Sequence, residues 1–159
     1  MTAPSDHVEL RRLVANAKLV IEIGTLTGNS AEAILSGLPA DGRLICIDTF
    51  QGTKGDFAYG YDRLEIITGV LTRLAPFGDR LTLIVGESIA TAALFGRGLA
   101  DVVFIDGAHD FASVTADIKA WLPILKPSGL MVGHDFDKKS LKLPLVTLHE
   151  HRDRQTLMV

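Results

Sequence analysis

The sequence has little of three features that would place it in a specialised class of protein. Its single cysteine, Cys46, cannot form a disulfide within the chain, which favours a reducing compartment over a disulfide-stabilised secreted fold. The formal net charge of −3 leaves no basic excess for binding nucleic acid or an anionic membrane surface. No apolar run approaches the length of a membrane span, and residues 1–6 lack the hydrophobic segment of a secretory signal. We therefore expect a cytoplasmic protein with neither a nucleic-acid partner nor a membrane partner.

The composition is otherwise that of an ordinary globular protein. The 159 residues are 47% hydrophobic and 22% charged, which is enough apolar material for one core of the usual domain size. There is no internal repeat, low-complexity tract or linker. We expect a single domain over residues 1–159.

Short apolar runs alternate with segments of helical periodicity along most of the chain. The predicted strands are 18–23, 43–47, 81–85, 101–105 and 130–133. The predicted helices cover 6–16, 29–36 and 61–74, and two more begin at Ser88 and Asp110. This alternation predicts an α/β fold, a Rossmann-like, doubly wound and mainly parallel sheet with helices on both faces. Residues 145–149 and 155–159 could add an abridged C-terminal strand pair.

Spacing also predicts which faces of two helices are buried. In the helix over 61–74 the apolar stripe is read as Leu64, Ile67, Leu71 and Leu74. In the helix that begins at Asp110 the stripe is read as Phe111, Val114, Ile118, Trp121 and Leu122.

A glycine turn follows the first predicted strand and precedes the next helix. Gly24 and Gly28 permit backbone conformations, or a close approach of a ligand, that a Cβ atom would block. Asn29 and Ser30 are expected to cap the helix. Backbone N–H groups at such a turn can face a nucleoside cofactor, although an ordinary strand–helix connection can also contain two glycines.

Charged and small residues follow the other predicted strands, where ligands bind in open parallel sheets. Three of the five strands are followed by an aspartate, at Asp48, Asp106 and, after His134, at Asp135. Each could be only a turn former. Together they would place several negative charges at one edge, which favours a bound cation. Asp48 lies about twenty residues after the glycine turn, as does the acidic residue that binds ribose hydroxyls in dinucleotide folds.

The joint pattern resembles class I S-adenosylmethionine-dependent methyltransferases, and more narrowly the small metal-dependent O-methyltransferases of the catechol and macrocin type. The segments that carry this resemblance are Glu22-Ile23-Gly24-x-x-x-Gly28, Asp48, Gly86-x-Ser88, Phe104 to His109, Leu125 to Gly129, and Gly133-His134-Asp135. Leu26 breaks the Gly-x-Gly-x-x-Gly spacing of dehydrogenases, which counts against a nicotinamide enzyme.

The resemblance implies an S-adenosylmethionine site and a methyl transfer to a hydroxyl of a small molecule. It places the methionine part over the glycine turn, the ribose at Asp48, and the adenine at Gly86, Glu87 and Ser88. The full set of implied cofactor-binding residues is Glu22, Gly24, Thr25, Gly28, Ser30, Asp48, Thr49, Gly86, Glu87, Ser88 and Asp106. It implies catalytic roles for Asp106 and for His109, which stands where catechol-type enzymes have a lysine base.

The resemblance also implies a divalent cation, with Mg²⁺ the ion expected. Its ligands would be Asp106, His134 and Asp135. Phe136 replaces a polar ligand of the catechol-type enzymes, so His134 is either a substitute ligand or a packing residue, and Asp137 is another candidate ligand.

The sequence leaves open three alternatives to a methyltransferase, and it also leaves open which residues form the acceptor pocket. The chain could be a cofactor-binding protein without turnover, a relative of cephalosporin hydroxylases, or a nicotinamide oxidoreductase, the last being the least favoured. The chain after Asp135 is short, so the pocket for the methyl acceptor could depend on residues 50–61 or on the second subunit of a homodimer.

Overall fold

The computed structural model describes residues 4–52, 62–134 and 155–158. Its strands are β1 (Leu19–Ile23), β2 (Arg43–Asp48), β3 (Leu81–Val85), β4 (Ala100–Ile105), β5 (Leu125–Gly133) and β6 (Gln155–Met158). Its helices are α1 (Pro4–Val14), α2 (Asn29–Gly37), α3 (Arg63–Leu74), α4 (Ser88–Ala92) and α5 (Phe111–Trp121). Short 3₁₀ segments cover Ala75–Arg80 and Leu122–Ile124. Among the described residues, no helix is long and apolar enough to cross a lipid bilayer.

The strands form one parallel sheet in the order β3-β2-β1-β4-β5-β6. The prediction of a Rossmann-like α/β fold is confirmed. The chain order reverses between β1 and β4, where Ile23 pairs with Ile47 of β2 on one side and Ile105 of β4 on the other. Ligands of doubly wound sheets bind at such a reversal, beyond the carboxyl ends of the strands. The strand expected over 145–149 lies outside the described residues.

The sheet is covered on both faces, as a parallel sheet requires. Successive residues of β1 point to opposite faces, so Val20 packs with residues of α1, α2 and α3 while Ile21 packs with Trp121 of α5. The first core includes Leu35 and Leu74, both without solvent exposure. The sheet is thus packed between two apolar cores, one on each face.

Two predicted helix faces are wrong in part. In α3 the buried side chains are Val70 and Leu74, whereas Leu64 and Leu71 are 70% and 49% exposed. The buried stripe of α3 is therefore rotated away from the predicted one. In α5 Phe111 is 49% exposed, because it occupies the first turn, beyond the reach of the sheet.

The expected caps of α2 are also wrong. Gly28 is the N-cap, with a φ of 79° and no side-chain hydrogen bond. Its N–H donates to the carbonyl of Thr25 at 2.8 Å, which closes the turn. The Asn29 side chain instead donates to the Thr27 hydroxyl at 3.1 Å, and Ser30 is buried in the first turn of the helix. The left-handed conformation favours glycine at this N-cap, and a Cβ atom there would lie 3.5 Å from the side chains of Val70 and Arg73 of α3.

Candidate active site

The carboxyl ends of five strands are joined into one edge by backbone hydrogen bonds. The bonds that cross between strand ends are Gly24 N–H to Ile47 O, Asp106 N–H to Ile23 O, Gly86 N–H to Asp48 O, and His134 N–H to Ile105 O, at 2.8–3.1 Å. The predicted site residues near each strand end therefore lie along a single edge. These residues are far apart in sequence, and they are close in space because the parallel strands end side by side.

Gly24 is the tightest point of this edge. Its φ is 89°, and a Cβ atom placed on it would lie 2.1 Å from the carbonyl oxygen of Asp106. Both the left-handed conformation and the lack of space require glycine here. The turn after β1 consequently packs directly on the backbone that follows β4.

Asp48 joins the glycine turn to the segment after β2. Its Oδ2 accepts from the Leu26 N–H at 2.7 Å, and its Oδ1 accepts from the Phe50 N–H at 2.8 Å. Leu26 and Phe50 have positive φ values of 45° and 55°, which non-glycine residues rarely adopt. The neighbouring Thr49 hydroxyl accepts from the Gln51 N–H at 3.4 Å. Each Asp48 oxygen keeps a second lone pair, so the fixed carboxylate can still accept hydrogen bonds from a ligand.

Glu22 lies beneath the glycine turn with no exposure to solvent. Its Oε2 accepts a hydrogen bond from the Cys46 thiol at 3.2 Å. Burial raises the pKa of Glu22 to about 7, which the Ser30, Cys46 and Thr25 side chains oppose and the charge of Asp106 reinforces. Within the described residues, Glu22 Oε1 and the Thr25 hydroxyl are buried without a well-formed hydrogen bond. Such groups are expected to gain a partner when a polar ligand binds.

Asp106 and His134, at the ends of β4 and β5, are brought together as predicted. Nδ1 of His134 lies 3.2 Å from Oδ1 of Asp106, and Nε2 lies 3.3 Å from Oδ2 of Asp6. All three side chains are mostly buried. Asp6 has no signal in the sequence as a member of this site, because its contact with His134 spans 128 residues.

The predicted metal site is described only in part. Asp135 lies outside the described residues. Among the residues that the structure describes, no group of three or more His, Cys, Asp or Glu is arranged to hold a metal ion. The separation of Asp106 and His134 suits adjacent ligands around a cation whose bonds are about 2.1 Å long. The carboxylate suits Mg²⁺, whereas an imidazole nitrogen is more typical of later divalent metals. The pair is thus compatible with a cation that accepts both ligand types.

His109 lies on the exposed segment between β4 and α5. It is the third residue after Asp106, and the next residue, Asp110, is the N-cap of α5. The Asp110 carboxylate accepts from the Ser113 N–H at 3.0 Å, which fixes the start of the helix. The predicted base therefore stands at the rim of the strand edge.

Gly86, Glu87 and Ser88 connect β3 to α4, and the structure corrects one detail of this segment. Glu87, not Ser88, is the N-cap of α4. The Ser88 hydroxyl instead donates to Asp117 Oδ1 at 2.5 Å and accepts from Trp121 Nε1 at 2.8 Å. Asp117 was missed in the sequence, although its spacing from Trp121 places a carboxylate on the buried face of α5.

The edge fits a cationic nucleoside cofactor in two respects. Asp48 offers fixed acceptor oxygens, and within the described residues Glu22 Oε1 and the Thr25 hydroxyl are buried without a well-formed hydrogen bond. Negative charge at Asp106 suits a positively charged group.

Comparison with known proteins agrees with this edge. Residues 21–136 match the family described as a methyltransferase domain. No curated protein sequence matches the chain.

Many solved structures share the fold. A candidate O-methyltransferase from Klebsiella pneumoniae is 26% identical with a TM-score of 0.66, over 84% of this chain and 56% of that one. An O-methyltransferase from Bacillus cereus, solved with SAH, is 21% identical with a TM-score of 0.66, over 84% and 57%. TomG of Streptomyces achromogenes, an O-methyltransferase of tomaymycin synthesis solved with SAM, is 21% identical with a TM-score of 0.64, over 81% and 54%. The chain thus spans little more than half the length of these proteins.

Proposed function

The chain belongs to the methyltransferase-domain family, and on that premise we propose that it binds S-adenosylmethionine and transfers the methyl group to a hydroxyl of a small molecule. The observation that carries the proposal is the clamp at Asp48, whose two oxygens hold both the glycine turn and the segment after β2. A carboxylate fixed in this way can accept two hydrogen bonds from a ribose diol. The described chain would then act as a single domain with its cofactor site at the carboxyl ends of the strands.

The residues divide the binding of the cofactor among them. The Gly24–Gly28 turn, with Thr25 and Ser30 beneath it, would hold the methionine part. Asp48 and Thr49 would hold the ribose, and Gly86, Glu87 and Ser88 would border the adenine. When bound, the cofactor supplies an activated methyl group on a sulfonium. The negative charge of Asp106, and of Glu22 when ionised, would favour that cation.

Transfer requires an acceptor oxygen in line with the sulfonium, so much of the rate enhancement would come from positioning. In this proposal His109 takes the proton from the acceptor hydroxyl at a ring nitrogen. An imidazole suits this task because its ordinary pKa is near neutrality. The exposure of His109 at the rim is compatible with an acceptor that arrives from solvent.

We further propose that a divalent cation assists, held by Asp106, His134 and Asp135. A bound cation would lower the pKa of the acceptor hydroxyl. His134 would donate a ring-nitrogen lone pair to the cation. Its Nδ1 is close enough to the Asp106 carboxylate for both to bind the same ion.

Metal dependence is tested by removal of the ion. A chelator should reduce turnover by about tenfold or more, and added Mg²⁺ or Mn²⁺ should restore it. Asp106→Asn should abolish the restoration. Full activity in chelator would reject the metal role while leaving methyl transfer intact.

The transfer itself is tested with isotopically labelled S-adenosylmethionine and a panel of phenolic and aliphatic hydroxyl acceptors. Labelled product is expected, and His109→Ala should lower kcat more than it changes cofactor affinity. Asp41→Asn, in the exposed turn before β2 at the other end of the strands, serves as a control that should leave kcat unchanged. Cofactor binding without product from any acceptor would favour a binding protein of the same fold.

A further inference from the structure

Ser88 is held between two buried side chains of α5. Its hydroxyl donates to Asp117 Oδ1 at 2.5 Å and accepts from Trp121 Nε1 at 2.8 Å. Asp117 is 6% exposed and Trp121 has no exposure, so water hardly competes for either contact. Both partners belong to one helix and lie one turn apart, which fixes their positions relative to each other.

The direction of these hydrogen bonds follows from the chemistry of the partners. An indole N–H can only donate, so the Ser88 oxygen must accept from Trp121. An ionised carboxylate can only accept, so the Ser88 hydrogen points to Asp117. Burial raises the pKa of Asp117, with the charge of Asp110 adding to the effect and the Ser88 contact opposing it. Mildly alkaline solution therefore favours the acceptor form.

This arrangement leaves the Ser88 hydroxyl with one function. A hydroxyl has one hydrogen and two lone pairs, and here the hydrogen and one lone pair are already used. Ser88, the first residue of α4, is only partly buried, whereas Asp117 and Trp121 are buried, so Ser88 is the member of this cluster that a ligand at the strand ends can reach. Ser88 can thus accept a hydrogen bond from a ligand but cannot donate one.

We propose that Asp117, together with Trp121, is a positioning residue that fixes Ser88 as a hydrogen-bond acceptor and thereby makes the site select a 6-amino purine over a 6-oxo purine. The inference rests on the proposed function, in which Ser88 borders the adenine. A 6-amino group donates to a fixed acceptor, whereas a 6-oxo group presents a second acceptor to it and leaves both unsatisfied.

The test compares two ligands by calorimetry at mildly alkaline pH. One is S-adenosylhomocysteine, the demethylated product of the cofactor, and the other is its analogue with oxygen in place of the 6-amino group. The wild-type protein should bind the amino form at least about tenfold more tightly. Asp117→Leu removes the acceptor and frees the hydroxyl hydrogen, which can then donate to the 6-oxo group. The preference should fall to within about threefold, with the affinity for the 6-oxo form maintained or increased.

A purely structural role of Asp117 gives a different result, because a loosened site would weaken both ligands equally and keep their ratio. Ser88→Ala tests the same contacts without a change at Asp117 and should also remove the preference. Arg80→Met is the control, since Arg80 binds the carbonyls of Gly42, Leu35 and Leu38 before β3 begins, at the opposite end of that strand. It should lower stability and leave the ratio unchanged.

Each outcome bears on a defined claim. A wild-type protein that does not bind S-adenosylhomocysteine overturns the proposed function and this inference together. Binding with an unchanged ratio in Asp117→Leu overturns the inference alone. If Asp117→Leu does not fold, a preference retained in Ser88→Ala overturns it.

Discussion

Gly24 is the residue on which the geometry of the site depends most directly. Its φ is positive, and a Cβ atom on it would come within 2.1 Å of the Asp106 carbonyl oxygen, so there is no place for a side chain. Gly24→Ala should therefore lower the free energy of unfolding by about 3 kcal/mol or more, as measured by denaturant titration.

Gly69 provides the matched control for this substitution. It lies in the exposed part of α3, and a Cβ atom there would meet nothing within 4 Å. Gly69→Ala should stabilise the protein by about 0.5–1 kcal/mol, because alanine is the better helix former. Equal effects of the two substitutions would contradict the close packing of the turn on β4.

Glu22 makes the stability of the fold depend on pH. Its folded-state pKa is raised from 4.5 to about 7 by burial, so the folded protein holds this proton more tightly than the unfolded chain. The contribution to stability is complete below the unfolded pKa and is lost as the pH rises through about 7. Relative to Glu22→Gln, the wild-type protein should lose on the order of 3 kcal/mol as the pH rises from 4.5 or below to above about 7.

The measurement is the free energy of unfolding at several pH values for both proteins. Glu65→Gln, a change at an exposed position of α3, is the control and should run parallel to the wild-type protein. A constant difference between wild type and Glu22→Gln across this range would show that the pKa of Glu22 is the same in the folded and the unfolded protein.

Helix α3 carries both a buried and an exposed leucine, so the effect of burial on stability can be compared within one helix. Leu74 has no exposure, whereas Leu71, one turn earlier, is 49% exposed. Leu74→Ala should cost about 2–4 kcal/mol of unfolding free energy because it leaves a cavity in the first core. Leu71→Ala should change stability by no more than about 0.5 kcal/mol. Similar costs at the two positions would instead support the face that spacing alone predicts, which contains both leucines.

Four strands of the central sheet were predictable from sequence to within one residue, whereas β5 begins at Leu125, before the predicted start at residue 130, and the orientation of the helices was not predictable. Each of these four strands is a short apolar run bounded by turn residues, a signal that is local and strong. In α3, six apolar residues at overlapping helical spacings allow two stripes, and only packing against α2 selects the one containing Val70 and Leu74. The same holds for Phe111, whose position in the first turn of α5 takes it away from the sheet.

The candidate site was predictable where it follows the strands and hidden where it depends on distant partners. Asp48 and Asp106 were found because parallel strands end at one edge. The link from Ser88 to Asp117 crosses 29 residues, and that from His134 to Asp6 crosses 128. Such pairs follow from the three-dimensional packing of α5 and α1, for which the sequence has no short-range pattern.

At the scale of the whole molecule, the reversal of strand order between β1 and β4 creates the site. The glycine turn, the Asp48 clamp and the Asp106–His134 pair meet there because neighbouring strands share their register. The solved O-methyltransferases that share this fold are longer, with just over half of their length matched. We propose that this part of the fold carries cofactor binding, and that the acceptor pocket draws on further residues or on a second subunit.

Calorimetric titration of the protein with S-adenosylhomocysteine tests this claim most directly. One molecule should bind per chain, and Asp48→Asn should weaken the affinity by about tenfold. Asp41→Asn is the control, because Asp41 pairs with Lys18 in the exposed turn before β2, at the other edge of the sheet. It should bind as the wild-type protein does. No binding by the wild-type protein, or equal affinity in Asp48→Asn, would contradict a cofactor site at the carboxyl ends of the strands.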